Sequence, residues 1–170
     1  MMRGGLWIVF ALLVVLAGCN RSRPAPDETP KYDRVSQGPQ APPQSVVNGT
    51  FSLRKIQKFA FDVPPHVIAP KVRGEFSSFT SAADGSKVSD ESSEVEMMVM
   101  TDAQFDDFTH KRSAQSVDAI EPTHNHGVSI SLPGTQDEVA HYFVVFQRAG
   151  ETKAPISVKA NIRAEFDASM

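Results

Sequence analysis

Between Ile156 and Phe166 apolar and polar side chains alternate without a break. Ile156, Val158, Ala160, Ile162, Ala164 and Phe166 interleave with Ser157, Lys159, Asn161, Arg163 and Glu165. Side chains alternate across a strand and recur every 3.6 residues in a helix, so this pattern places one face in a core and the other in water. It is a β-strand, and its apolar face requires a second layer to cover it.

Other segments follow the same period. Val128, Ile130 and Leu132 alternate with Ser129 and Ser131, and the chain then turns through Pro133-Gly134-Thr135. After the turn, Val139 to Phe146 is apolar on both faces, as expected of a central strand covered on each side. These two are expected to form a hairpin. Phe59, Phe61 and Val63 share a face before Pro64-Pro65 ends the strand, and Val72 to Phe79 is a weaker strand candidate. Asp84-Gly85 signals a tight turn, and Val95, Met97 and Val99 then alternate with Glu94, Glu96 and Met98.

A short helix is predicted from Asp102 to about His110. Thr101 followed three residues later by Gln104 forms a capping box, and Phe105 and Phe108 share a face. The expected fold is therefore all-β: a single antiparallel β-sandwich of six or more strands with one short helix, spanning residues 47–168.

The run of Phe59-Ala60-Phe61-Asp62-Val63, Val72-Arg73-Gly74-Glu75-Phe76, Val128-Ser129-Ile130-Ser131-Leu132, Ala140-His141-Tyr142-Phe143-Val144-Val145-Phe146 and the closing strand resembles the jelly-roll-like β-sandwich modules of exported proteins, including GOLD-type domains. That resemblance implies binding or cargo contact rather than catalysis. Fold alone does not fix function.

The N-terminal segment points to export. Arg3 is its only early charge, and Leu6 to Leu16 carries no polar side chain. A basic start followed by an apolar core of about ten residues has the form of a secretory signal. A spanning helix needs about 20 apolar residues, and this run stops at Gly18. It ends in Leu16-Ala17-Gly18-Cys19, which resembles the lipobox of bacterial lipoproteins. The resemblance implies cleavage between Gly18 and Cys19, a diacylglyceryl group on the Cys19 sulfur and, in many bacteria, an amide-linked acyl chain.

Cys19 is the only cysteine, so no intrachain disulfide is available to it and lipidation accounts for its presence. Each buried CH₂ contributes about 0.8 kcal/mol, so two or three acyl chains make a durable tether. The residue after the cysteine is Asn20, where an aspartate commonly retains Gram-negative lipoproteins at the inner membrane. The resemblance thus favours the outer membrane, facing the periplasm, or the plasma membrane in a Gram-positive cell.

From Asn20 to Val46 six prolines sit among polar residues with almost no apolar side chain. Such a segment cannot bury enough surface to offset its ordering entropy, so residues 19–46 are expected to form a disordered, proline-stiffened linker behind the signal at 1–18. The chain's formal charge is −3, and loss of Arg3 with the signal makes it one unit more negative. No basic field invites nucleic acid.

Several residues bear on chemistry. His124 and His126, at i and i+2 of Glu121-Pro122-Thr123-His124-Asn125-His126, would point to one side of an extended chain and share a zinc or copper ion, with His110 or Glu121 as a third ligand. The competing reading is a polar loop entering the strand at Val128. His141, inside the two-sided apolar strand, reads as a packed histidine satisfied by a neighbouring strand.

The oxygen-rich loop of Asp84, Ser86, Asp90, Glu91 and Glu94 lacks the ligand spacing of a calcium loop and reads as solvated. Met97 faces the core with Val95 and Val99. Met98 and Met100 lie opposite it, lining a second sheet or a surface patch, or offering soft ligands to a metal.

Gly-x-Ser-x-Gly and a cysteine left for pairing with histidine are missing from the sequence, and so is a phosphate-cradling glycine loop. The expectation is a lipid-anchored, non-enzymatic binding or accessory module of the cell envelope, without a resident cofactor. Its partners would be membrane lipid through Cys19 and an envelope protein or small ligand. The alternative is a periplasmic metal-handling protein using His124 and His126.

Overall fold

The computed structural model describes residues 41–113, 115–150 and 154–166. Among the described residues nine strands and one α-helix follow one another: β1 (Gln44–Leu53), β2 (Ile56–Val63), β3 (Lys71–Ser81), β4 (Lys87–Val88), β5 (Val95–Thr101), α1 (Asp102–Thr109), β6 (Asp118–Thr123), β7 (Asn125–Ser131), β8 (Ala140–Arg148) and β9 (Ile156–Glu165). The strands form two antiparallel sheets. In the first, β1, β9 and β3 are neighbours, and the remaining edge of β3 pairs with β7 along one stretch and β4 further on. In the second the order is β2-β8-β5-β6. Their inner faces enclose one core, an all-β sandwich.

The alternation at Ile156–Phe166 behaves as its period demands: Ile156, Val158, Ala160, Ile162, Ala164 and Phe166 are all buried. Opposite them, the second sheet contributes Phe61, Val63, Val95, Met97, Val99, Val144 and Phe146. Phe146 is central, edge-on to Phe51 at 5.2 Å and to Phe76 at 5.5 Å between ring centroids. Such pairs contribute about 0.5–1.5 kcal/mol beyond their buried area.

The expected hairpin across Pro133-Gly134-Thr135 does not form. β7 pairs with β3 in the first sheet and β8 pairs with β2 and β5 in the second. The connection is a crossover stitched to the β2–β3 loop. Thr135 donates its N–H to the Val67 carbonyl at 2.8 Å and its hydroxyl to the Pro64 carbonyl at 2.5 Å. Thr135 Oγ1 in turn accepts the Val67 N–H at 3.0 Å. With its polar groups engaged by another loop, Thr135 is not free to close a two-strand turn.

Two strands carry no strong pattern in the sequence. β1 begins at Gln44, three residues ahead of the domain start expected at residue 47, and its weak alternation is broken by a bulge between Ser45 and Val47. β6 contains Pro122, which is tolerated because β6 pairs with β5 alone and lies at the sheet edge. β6 and β7 are nearly one strand, which changes sheets at His124.

Gly74 is required by close approach. Its φ is +151°, and a Cβ built there would lie 1.9 Å from the Asn161 carbonyl oxygen. A side chain at this point would enter the backbone of the neighbouring strand β9.

Candidate functional site

The outer face of the second sheet carries the densest side-chain chemistry. Thr101, the last residue of β5, caps α1: its hydroxyl accepts the Gln104 N–H at 3.3 Å, while Gln104 Oε1 accepts the Thr101 N–H at 2.9 Å. The reciprocal cap turns the chain from strand into helix within one residue and folds α1 back over the sheet it has just left. Phe105 and Phe108 then pack on Met98, Met100, Val145 and Phe143.

This small second core corrects the reading of Met98 and Met100. They are neither a surface patch nor the lining of another sheet; they are 5% and 2% exposed beneath the helix. β8 is apolar on its outer face for the same reason. Methionine's flexible, polarisable side chain suits such an irregular gap between a short helix and a sheet.

Lys58 on β2 extends across this cluster, with Nζ 4.2 Å from the Phe105 ring centroid and 4.1 Å from that of Phe143. The two rings hold the ammonium by cation–π attraction, about 0.5–1 kcal/mol at an exposed site. Nothing in the local sequence around Lys58 marks it. Its only signal is its place on the outward face of a strand that pairs with β8.

Beside this cluster, His141 Nδ1 lies 2.7 Å from Asp62 Oδ1 across the β2–β8 pair. The expectation of a packed histidine is half corrected. The partner is on the neighbouring strand as expected, but the imidazole is 58% exposed because it points away from the core. The hydrogen bond from the ring to Asp62, then the charges of Asp62 and Asp102, raise the imidazole's pKa above its ordinary value. The pair can hold a proton more tightly than a free histidine does.

His124 and His126 are both exposed. His124 occupies the bend between β6 and β7, so the extended geometry that would align the two rings is interrupted at His124 itself. Its carbonyl accepts the Ser78 N–H at 2.9 Å. His110 is at the C-cap of α1, with Nδ1 2.8 Å from the Asp106 carbonyl. Among the described residues, no three His, Cys, Asp or Glu side chains gather in a group able to hold a metal.

The acidic loop is organised by its own turns. Asp84 accepts the Ser86 hydroxyl at 2.6 Å and its N–H at 2.9 Å; Asp90 accepts the Ser92 hydroxyl and N–H at the same distances. These bonds hold both carboxyls below the usual carboxylate range. On the inner side, at the end of β8, Arg148 Nε and Nη2 are buried without a hydrogen-bond partner among the described residues.

Residues 1–40, including the proposed cleavage site at Gly18 and Cys19 and most of the proline-rich segment, lie outside the described residues. Among the described residues no helix is long and apolar enough to cross a membrane. No protein-family profile matches the chain, and no curated protein matches it in sequence.

Proposed function

We propose that this chain is a lipid-anchored lipoprotein of the bacterial cell envelope, whose β-sandwich serves as a non-enzymatic binding or accessory module. The observation that carries the reading is Leu16-Ala17-Gly18-Cys19 at the end of the apolar run, holding the only cysteine of the chain. The proline-rich segment behind it supports the reading as a spacer, with an extended reach on the order of 90 Å at ~3.3 Å per residue. Asn20 favours delivery to the outer membrane, with the domain facing the periplasm.

Palmitate labelling of cells expressing the full chain, followed by membrane fractionation, tests the proposal. The parent chain takes up label and sediments with membranes, and Cys19→Ala takes up none and is not retained there. A labelled or firmly membrane-bound Cys19→Ala chain overturns the anchor. In-cell crosslinking of the lipidated protein then reads the partner: one reproducible, near-stoichiometric envelope protein is the expected result. Recovery of bulk lipoproteins alone counts against an accessory role.

A further inference from the structure

We infer that β7 is a docking edge for a second copy of this chain, the two β7 strands pairing antiparallel about Val128 to join two first sheets into one. The inference is independent of the lipid anchor.

The backbone register shows which groups are open. The Ser78 N–H donates to the His124 carbonyl at 2.9 Å and the Leu132 N–H to the Pro70 carbonyl at 2.8 Å, in line with the pairing of Val72 with Ile130, Gly74 with Val128 and Phe76 with His126. Hydrogen-bonded positions recur every second residue in an antiparallel pair, so the even-numbered residues of β7 bond to β3. The odd-numbered ones turn their N–H and C=O groups outward. Asn125 meets Thr123 Oγ1 with both groups, at 3.4 and 3.3 Å. For Gly127, Ser129 and Ser131, no backbone partner beyond β3 is found among the described residues, and all three are exposed.

Protein sheets protect such edges with charges, prolines, bulges or brevity. β6 carries Asp118, Glu121, Pro122 and a bulge; β2 carries Lys58 and Asp62; β1 is bulged near its start; β4 is two residues long. β7, Asn-His-Gly-Val-Ser-Ile-Ser, has none of these over seven residues. A Cβ placed on Gly127 would meet nothing within 4 Å, so the solvent face of the strand at this position carries no covering side chain or loop among the described residues.

The strand also matches itself. With Val128 opposite Val128 of the second copy, Gly127 lies opposite Ser129 and Asn125 opposite Ser131, so the outward backbone groups meet one another. Small polar side chains then face small polar side chains on the outer surface. His126, the one titratable residue of β7, lies opposite Ile130 in this register, so no like charges meet across the two-fold axis, which is the arrangement an isologous contact requires. A contact of one strand per copy is small, so the dimer is weak and concentration-dependent.

Sedimentation of the purified full chain over a range of concentrations, with amide hydrogen exchange on the same samples, tests this. The expected result is a monomer–dimer equilibrium in which Gly127, Ser129 and Ser131 amides exchange more slowly as concentration rises, while Val128 and Ile130 stay protected throughout. Ser129→Pro removes an outward N–H without touching the β3 ladder. It should raise the dimer dissociation constant about tenfold, the loss of two symmetry-related hydrogen bonds, while Ser129→Ala dimerises like the parent. A chain that stays monomeric at every concentration overturns the inference. So does a dimer whose Gly127, Ser129 and Ser131 amides exchange at rates independent of concentration, a reading that stands even if Ser129→Pro fails to fold.

Discussion

His141 on β8 and Asp62 on β2 are directly opposed in the strand register and joined by a 2.7 Å contact between Nδ1 and Oδ1. Because the carboxylate raises the imidazole's pKa in the folded chain, the folded state binds that proton more tightly than the unfolded one. The stabilisation is fully present below the ordinary histidine value and is lost as pH rises through the raised one. An NMR titration of the imidazole should show a pKa above that of an unperturbed histidine. Asp62→Asn should return it toward the ordinary value, and an unchanged pKa in that variant would show that Asp62 is not the cause.

Met100 sits beneath α1 with Met98 and Val145, in the small core where Phe105 and Phe108 hold the helix to the sheet. Met100→Ala opens a cavity there and should cost about 2–5 kcal/mol in denaturant unfolding. Met100→Leu, close in volume, should cost less than about 1.5 kcal/mol. Equal losses from the two variants would argue that the sulfur, rather than packing, is what matters at this position.

Arg148 buries two guanidinium nitrogens with no acceptor among the described residues. A buried donor without a partner costs about 1–3 kcal/mol, more when charged. Arg148→Met keeps the aliphatic stem and removes the unmatched charge, so the variant should melt at a higher temperature than the parent. A lower melting temperature would mean that the guanidinium gains more from its surroundings than it loses.

Gly74→Ala should be among the most damaging single-methyl changes in the chain. The new Cβ would collide with the backbone of Asn161 on β9, which has no flexible end to move aside, and φ at +151° is itself unfavourable for alanine. Circular dichroism melting is expected to show a large loss of stability or failure to fold. By contrast, Gly127→Ala has open space around the new methyl and should change stability little.

The strands with strict alternation were readable because burial on one face writes a period of two directly into the residues. Ile156–Phe166, Val95–Val99 and Val128–Leu132 bury the side chains their patterns assign to the core, as do Phe61 and Val63, with Phe59 half-buried beside them. The capping box at Thr101 and Gln104 was readable for a similar reason, since its partners are three residues apart. β1 and β6 were not: a bulge and a proline at sheet edges disturb the period, and edge strands need less of it. Of the candidate site, His124 and His126 were visible as a motif. The contact of Lys58 with Phe105 and Phe143 joins three separate elements and has no local signature.

By itself, the sequence determined the all-β class, which face of most strands is buried, where the helix starts and the lipobox-like motif that carries the functional proposal. These follow from interactions between residues close together in the chain, where backbone geometry leaves few choices. Only the tertiary structure decided that β7 and β8 enter different sheets, that α1 folds back to bury Met98 and Met100, and that His141 stays in solvent beside Asp62. Each of those outcomes depends on contacts between distant segments. The same alternating strand can serve either sheet, and an outward-facing apolar residue is buried or exposed according to what comes to lie over it.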